Sequence, residues 1–320
     1  MSEQFPVLIV GSGALALLFG AWLGAAGYPV TLLGSWRQGV ETVRERGIYL
    51  WSGERRLHVP ARAVFTPQEA GPVRWALVLV KSWQTERAAY QLRECLSEDG
   101  LALTLQNGLG NREILERVLG KARVAQGVTT YGATLIGPGE ARLGGQGTIF
   151  LAEHPRLEAF FHAFRQAGLQ VEQSERLETM IWGKLVINSA INPLTAVLNV
   201  PNGELLARPG ARALLGALAE ETAAIARALG IPLPFAEARA AAEAVAQQTA
   251  QNLSSMLQDV RRGAPTEIDA ICGAIFAEAQ KRGVPAPLNW TMWHLVRALA
   301  SPPPPSGEMP QVQQPAPGPR

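Results

Sequence analysis

The sequence predicts an α/β chain in which an N-terminal doubly wound sheet is followed by a mostly α-helical second domain. Three observations carry that prediction. An apolar run at 6–10 leads into a glycine-rich turn at 11–16, then a helical stretch ending at Gly27 and a second apolar run at 30–33. Strand, turn, helix and strand within about 30 residues form a βαβ unit, whose parallel strands need a crossover. Strand-like and helix-like stretches keep alternating to about residue 175, the sequence form of a doubly wound sheet. Beyond that point strand signals disappear, and segments at 178–191, 210–229, 235–262 and 266–282 have helical composition.

Taken in order, WALVLV at 75–80 and LALTL at 101–105 read as strands, separated by a helix at 85–96. A helix at 111–119 leads to a strand near 123–128. The glycine-rich stretch 130–152, with β-type pieces such as TIFLAE, predicts a partly antiparallel sheet edge before a helix at 156–167. The domains expected are 1–175 and 176–300, since single cores rarely grow beyond ~250 residues and this chain has 320. The proline-rich segment SPPPPSGEMPQVQQPAPGPR at 301–320 has almost nothing to bury and is expected to be a disordered tail.

Composition narrows the function classes. A net charge of +2, with no Lys/Arg block, argues against a nucleic-acid partner and favours a small molecule. The apolar N-terminus lacks a basic leader region and is broken by five glycines, so it reads as strand, turn and helix rather than a signal peptide. No membrane span is expected, and the chain is placed in the cytoplasm. Cys95 and Cys272 lie far apart without CxxC spacing, which predicts buried, reduced thiols. His58, His154, His162 and His294 fall in none of the segments discussed below, so a histidine acid, a metal cluster and a Ser/His/Asp triad are not supported. No metal is expected.

Gly11-Ser12-Gly13-Ala14-Leu15-Ala16 fits G-x-G-x-x-G/A. Such a turn can be merely structural, but this one directly follows the first strand and opens the first helix. There the first glycine permits the tight turn, the second lets backbone approach a pyrophosphate, and the small third residue lets helix pack on strand. This is the dinucleotide fingerprint of a Rossmann-type domain. At the end of the second strand, where an NAD enzyme usually places an acid, the chain has Gly34-Ser35-Trp36-Arg37 and no carboxylate before Glu41. Ser35 and Arg37 are therefore candidates for a 2′-phosphate, and NADP (NADPH) is the cofactor expected. The bland reading makes Arg37 a solvated loop cation.

Lys184, Asn188 and Asn192 recur at i, i+4 and i+8 among Ile181, Leu185, Val186, Ile187 and Ile191. On a helix they share one face. That face is either solvated or a site in which the amine protonates a carbonyl and the amides fix substrate oxygens; an apolar setting lowers a lysine's pKa toward the working range. Asn202-Gly203-Glu204 reads as a turn. Asn252, Ser254 and Ser255 offer an amide and hydroxyls for a carboxylate, or surface and capping groups. Thr266, Glu267 and Asp269 look like a helix start, with catalysis an open alternative for Glu267. Lys81 and Asn107 close strands at their carboxyl ends, where ligands of open α/β sheets bind.

With GSGALA at 11–16, LVKSWQT at 79–85, QNGLGN at 106–111, WGKLVINSAINPLTAVLNVPNGEL at 182–205, NLSSMLQDV at 252–260 and TEID at 266–269, the chain resembles the 2-dehydropantoate 2-reductase (ketopantoate reductase) family. The resemblance implies an NADPH domain, a helical substrate domain, and reduction of 2-dehydropantoate to pantoate on the route to pantothenate and coenzyme A. It makes Lys184 the proton donor and Asn188, Asn192, Asn202 and Ser255 substrate contacts, with Asn252 and Ser254 nearby. Lys81, Asn107, Ala133 and Glu267 become cofactor-side residues. Where members often carry an arginine for the 2′-phosphate, this chain has Ser35. The partner expected is a 2-keto acid, with a homodimer left open.

Overall fold

The computed structural model describes residues 4–154 and 156–300. The segment 301–320, read as a tail, lies outside them.

The chain runs β1 (Val7–Val10), α1 (Ala14–Ala25), β2 (Val30–Leu33), α2 (Arg37–Arg46), β3 (Ile48–Ser52), β4 (Arg55–Val59), β5 (Arg62–Val64), α3 (Pro67–Ala70), β6 (Val73–Val78), α4 (Thr85–Cys95), β7 (Leu96–Thr104), α5 (Asn111–Leu119) and β8 (Val124–Thr129). It continues through β9 (Ala133–Gly137), β10 (Glu140–Leu143), β11 (Ile149–Ala152), α6 (Glu158–Gln166) and β12 (Val171–Ser174). Helices follow: α7 (Leu177–Leu198), α8 (Glu204–Ala207), α9 (Pro209–Ala228), α10 (Ala238–Gln248), α11 (Ser255–Arg261), α12 (Ala274–Lys281) and α13 (Pro287–Ala300).

The main sheet has the order β12-β11-β8-β7-β6-β1-β2-β5. Its strands from β5 to β8 are parallel, and β11 pairs antiparallel with β8. From β1 the chain builds one way through β2 and β5, then crosses back to β6, β7 and β8. The strand order reverses between β1 and β6, and a crevice opens there beyond their carboxyl ends.

A second sheet, β4-β3-β10-β9, corrects the reading of residues 130–152 as one sheet edge. Only Ile149–Ala152 joins the main sheet; the two strands before it pair with each other, and β10 pairs with β3. The partner hairpin of β3 and β4 turns at Gly53, which has φ +60°. Helix α1 lies between the two sheets. Beside its Gly20 stand Ile9 and Leu32 of the main sheet and Ile48 of the second, and beside its Gly24 stands Val59. Covered on both sides, α1 has buried residues all round, including Leu17, Leu18, Phe19 and Leu23. Each such side chain contributes ~1.5–3 kcal/mol on burial.

The helical half packs around α7, which runs through Pro193 and ends at Asn199 in the left-handed conformation, φ +54°. By length and composition α7 would span a bilayer, but 72% of its apolar window is buried within this fold. The segment of helical composition at 235–262 folds as two helices, α10 and α11, parted by the turn 249–254. Residues Asp269–Gly273 form a wide π-turn ahead of α12. Cys95 and Cys272 are free and buried, and burial pushes the Cys95 thiol up to about 11.

Candidate active site

A cleft of about 660 Å³ opens between the carboxyl ends of the parallel strands and the face of α7. One end of its first-domain wall, at the glycine turn, is built from backbone. Gly11, at φ +136°, brings the turn against the backbone of Leu79, 3.1 Å from where a Cβ would stand. Gly13 is different: its φ is −85°, and an added Cβ would meet no protein atom within 4 Å. The space beside it is open to a ligand. Gly13 is also the N-cap of α1, with no side-chain cap and no acid in the first turn. An uncapped helix N-terminus facing a cleft is an anion site. Ser12, Ala14 and Leu15 line this end, while Ala16 is fully buried where helix meets sheet.

At the tip of β2, Ser35 and Trp36 line the cleft. Arg37 does not: its side chain is 85% exposed and its guanidinium pairs with Glu41 at 2.8 Å. In this structure it stands as the solvated cation.

Lys81 and Asn107 reach the cleft from the ends of the strands that sequence assigned them, and both engage the helical half. The Lys81 amine lies 2.7 Å from Asp259 and 3.5 Å from Glu267. Burial alone would lower its pKa, but the two carboxylates outweigh that and hold it above the ordinary range. Glu267 accepts the Ser82 amide at 3.1 Å and the Asn107 side-chain amide at 3.4 Å. It is 6% exposed, so it is not the solvated first-turn acid of an ordinary helix start. The turn that follows it is wide, and Thr266 only weakly accepts Ile268 N–H, at 3.4 Å. The same π-turn presents the Ala270 carbonyl to Leu109 N–H at 2.9 Å, against Gly108 at φ +83°.

Asn107 is held in turn by a buried chain. Asn111 donates to its carbonyl at 2.9 Å, Thr85 donates to Asn111 at 2.7 Å, and Gln106 donates to Thr85 at 2.8 Å and to the Val80 carbonyl at 2.9 Å. The Asn107 Oδ1 is itself buried without a partner. An acceptor left so costs ~1–3 kcal/mol unless a ligand donor meets it.

The opposite wall is side-chain chemistry. Lys184, Asn188 and Asn192 line the cleft from α7 as one face. The Lys184 amine donates to the Thr129 carbonyl at 2.6 Å. Burial lowers its pKa to about 8, against the opposing charge of Glu267. Asn252, Ser255, Gln258 and Asp259 continue this wall, and Ala133 faces it from β9.

Two proposed substrate contacts stand elsewhere. Asn202 is buried behind the wall, donating to Thr249 at 2.9 Å and, through its backbone, to the Asn252 carbonyl. Ser254 caps α11 through Leu257 N–H and accepts the Thr195 hydroxyl at 2.7 Å. Both brace the turn that carries Asn252 and Ser255. Sequence reasoning gave Asp259 no role, although its place one helical turn after Ser255 marks the same face. Among the described residues no group of three or more His, Cys, Asp or Glu is disposed to hold a metal.

Comparison with known proteins identifies the family. The family models "Ketopantoate reductase PanE/ApbA" and its C-terminal counterpart match residues 7–156 and 176–300. The chain is 35% identical to the 2-dehydropantoate 2-reductase of Archaeoglobus fulgidus, covering 92% of this chain and 98% of that one. With the Pyrococcus horikoshii enzyme of the same name identity is 33%, over 92% and 97%. Among solved structures, the PanE/ApbA family ketopantoate reductase from Ralstonia eutropha superposes with TM-score 0.85 at 31% identity. D-mandelate dehydrogenase with NADH and anilino(oxo)acetate superposes with TM-score 0.86 at 26% identity; each structure covers 92% of this chain and matches over 98% of its own.

Proposed function

The chain belongs to the ketopantoate reductase family, and from that premise we propose that it reduces 2-dehydropantoate to pantoate with NADPH, Lys184 being the proton donor. The observation that carries this reading is the Lys184 amine, desolvated with a pKa of about 8 in the wall of the same cleft that the open N-terminus of α1 lines.

The residues present fit a dinucleotide. The open space at Gly13, the free N–H groups of α1 and the unpartnered Asn107 Oδ1 are the places where it would be held. When bound, the nicotinamide supplies hydride to the 2-keto carbon. The protein must then stabilise negative charge on the keto oxygen and deliver a proton to it. Lys184 does both: at neutral pH it is charged, and desolvation makes it a readier acid than a surface lysine. Asn188 and Asn192, on the same face, hold the substrate's oxygens, while Ser255 and Asn252 serve its other end. Glu267 ties Ser82, Asn107 and Lys81 together and keeps a negative charge near the Lys184 amine, so that burial does not discharge it.

A second reading, a dehydrogenase of a bulkier 2-hydroxy acid that uses NADH, is favoured by the likeness to D-mandelate dehydrogenase and by an Arg37 committed to Glu41. One assay decides. Oxidation of NADPH and of NADH is followed with 2-dehydropantoate, 2-oxoisovalerate, pyruvate and phenylglyoxylate at equal enzyme. Highest kcat/KM for NADPH with 2-dehydropantoate is expected; a preference for phenylglyoxylate with NADH would replace this reading by the second.

A further inference from the structure

Resting on the reductase reading, we infer that Leu253 is the residue that selects the substrate's alkyl group. The inference starts from how the turn 249–255 is held. Asn202 N–H bonds the Asn252 carbonyl at 3.0 Å and Gly203 N–H bonds the Ala250 carbonyl at 3.1 Å. Asn252 N–H returns to Thr249 at 2.8 Å, and its side-chain amide reaches across the cleft to the Gly144 carbonyl at 3.2 Å. Ser254 is fixed by Thr195 and by its capping bond, and the Leu253 carbonyl accepts Gln258 Nε2 at 2.9 Å. The main chain is thus pinned on both sides of Leu253, while the leucine side chain serves none of these bonds.

That side chain lines the cleft, half-buried, and joins none of the hydrophobic cores. Among the described cleft-lining residues only one other large apolar side chain stands outside the cores. It is Trp36, at the far end over Gly39. Every other large apolar group of the wall has core packing to explain it. On the helical side the rest of the lining is Lys184, Asn188, Asn192, Asn252, Ser255, Gln258 and the charged groups Asp259, Arg262 and Glu267, with Ala264 the only other apolar residue. Those polar groups suit a carboxylate, a keto oxygen and a hydroxyl. None offers a surface to the two methyl groups that 2-dehydropantoate carries beside its keto carbon. Leu253, on a rigid turn between Asn252 and Ser255, does. A solitary exposed leucine means little; a leucine on a fully pinned turn within a polar binding wall has a ligand-facing use.

A methyl or methylene in an apolar contact is worth about 10- to 200-fold in kcat/KM. Leu253→Ala is therefore expected to lower kcat/KM for 2-dehydropantoate and 2-oxoisovalerate at least about tenfold, to leave pyruvate nearly unchanged, and to leave the Kd for NADPH and the melting temperature where they were. Leu253→Phe, which keeps an apolar wall but fills space, should shift preference toward pyruvate. If the wild type is active and all three substrates fall together, or none falls, in both variants, this inference is overturned and the reductase reading stands. A wild type that binds NADPH yet reduces none of the three overturns the reductase reading and this inference with it.

Discussion

Helices α1 and α7 are both largely buried, and both face the cleft, yet they present opposite kinds of chemistry to it. α1 is covered by a sheet on each side and has no polar side chain to offer; it presents its end, as backbone N–H groups beside an open Gly13. α7 presents its side, as an amine and two amides spaced a turn apart on a largely apolar helix. A backbone end recognises charge wherever a phosphate can approach, and is indifferent to the rest of the ligand. A side-chain face recognises, and acts on, one arrangement of atoms. On this division the α1 wall sets affinity for the cofactor and the α7 wall sets turnover, so substitutions should separate along it.

The largest separation is expected at Lys184. Removing a positioned general acid typically costs ~10²–10⁴ in rate, so Lys184→Ala should lose kcat by that factor while NADPH affinity, read by fluorescence titration, moves little. Equal losses in kcat and affinity would mean that α7 holds cofactor rather than acting on substrate. The pH profile tests the same residue without substitution. With a lowered pKa of about 8, Lys184 is charged below that pH and neutral above it. Reduction needs the charged form, so kcat/KM should be level on the acid side of about 8 and fall about tenfold per pH unit beyond it. In Lys184→Ala that limb should vanish.

Gly13→Ala probes the other wall. The new methyl meets no protein atom within 4 Å and φ is ordinary, so stability should change by no more than the ~1 kcal/mol of a poorer N-cap. Cofactor affinity should nevertheless fall about tenfold or more, the equivalent of ~1.4 kcal/mol, because the methyl occupies the ligand's approach. Gly11→Ala is the control: at φ +136° against the Leu79 backbone it should lower the melting temperature as well. Unchanged affinity in Gly13→Ala would leave the turn a structural device.

The same division explains what could be read from sequence. Both helices of the cleft were legible because their signals are local: glycines at fixed offsets, and polar residues every fourth position in an apolar run. What escaped was set by distant contacts. The strands Ala133–Gly137 and Glu140–Leu143 join a sheet whose other half is about 90 residues earlier, and no periodicity in 130–152 announces that partner. Asp259 and Lys81 are 178 residues apart and meet only once the halves are docked. Ser254 has the right chemistry for a ligand but engages Thr195 and the N-terminus of α11, and Asn202 turns its donors to Thr249 and Asn252 behind the wall while its Oδ1 is buried without a partner.

Ser35 gives the smallest expected effect and the sharpest limit on the comparison, because at the tip of β2 the first wall offers a side chain where the glycine turn offers backbone. With Arg37 turned to Glu41, the hydroxyl of Ser35 and the start of α2 are what the tip of β2 offers to a 2′-phosphate. Ser35→Asp would put a carboxylate beside that phosphate, yet supply an acceptor for a 2′-hydroxyl. NADPH affinity should fall about tenfold, a loss typical of one like-charge contact near a surface, while NADH is spared. If Arg37 can instead leave Glu41 for the phosphate, Glu41→Gln should raise NADPH affinity while NADH stays constant. No response to either substitution would make the tip of β2 blind to the 2′ position and would remove NADPH preference from the proposed function.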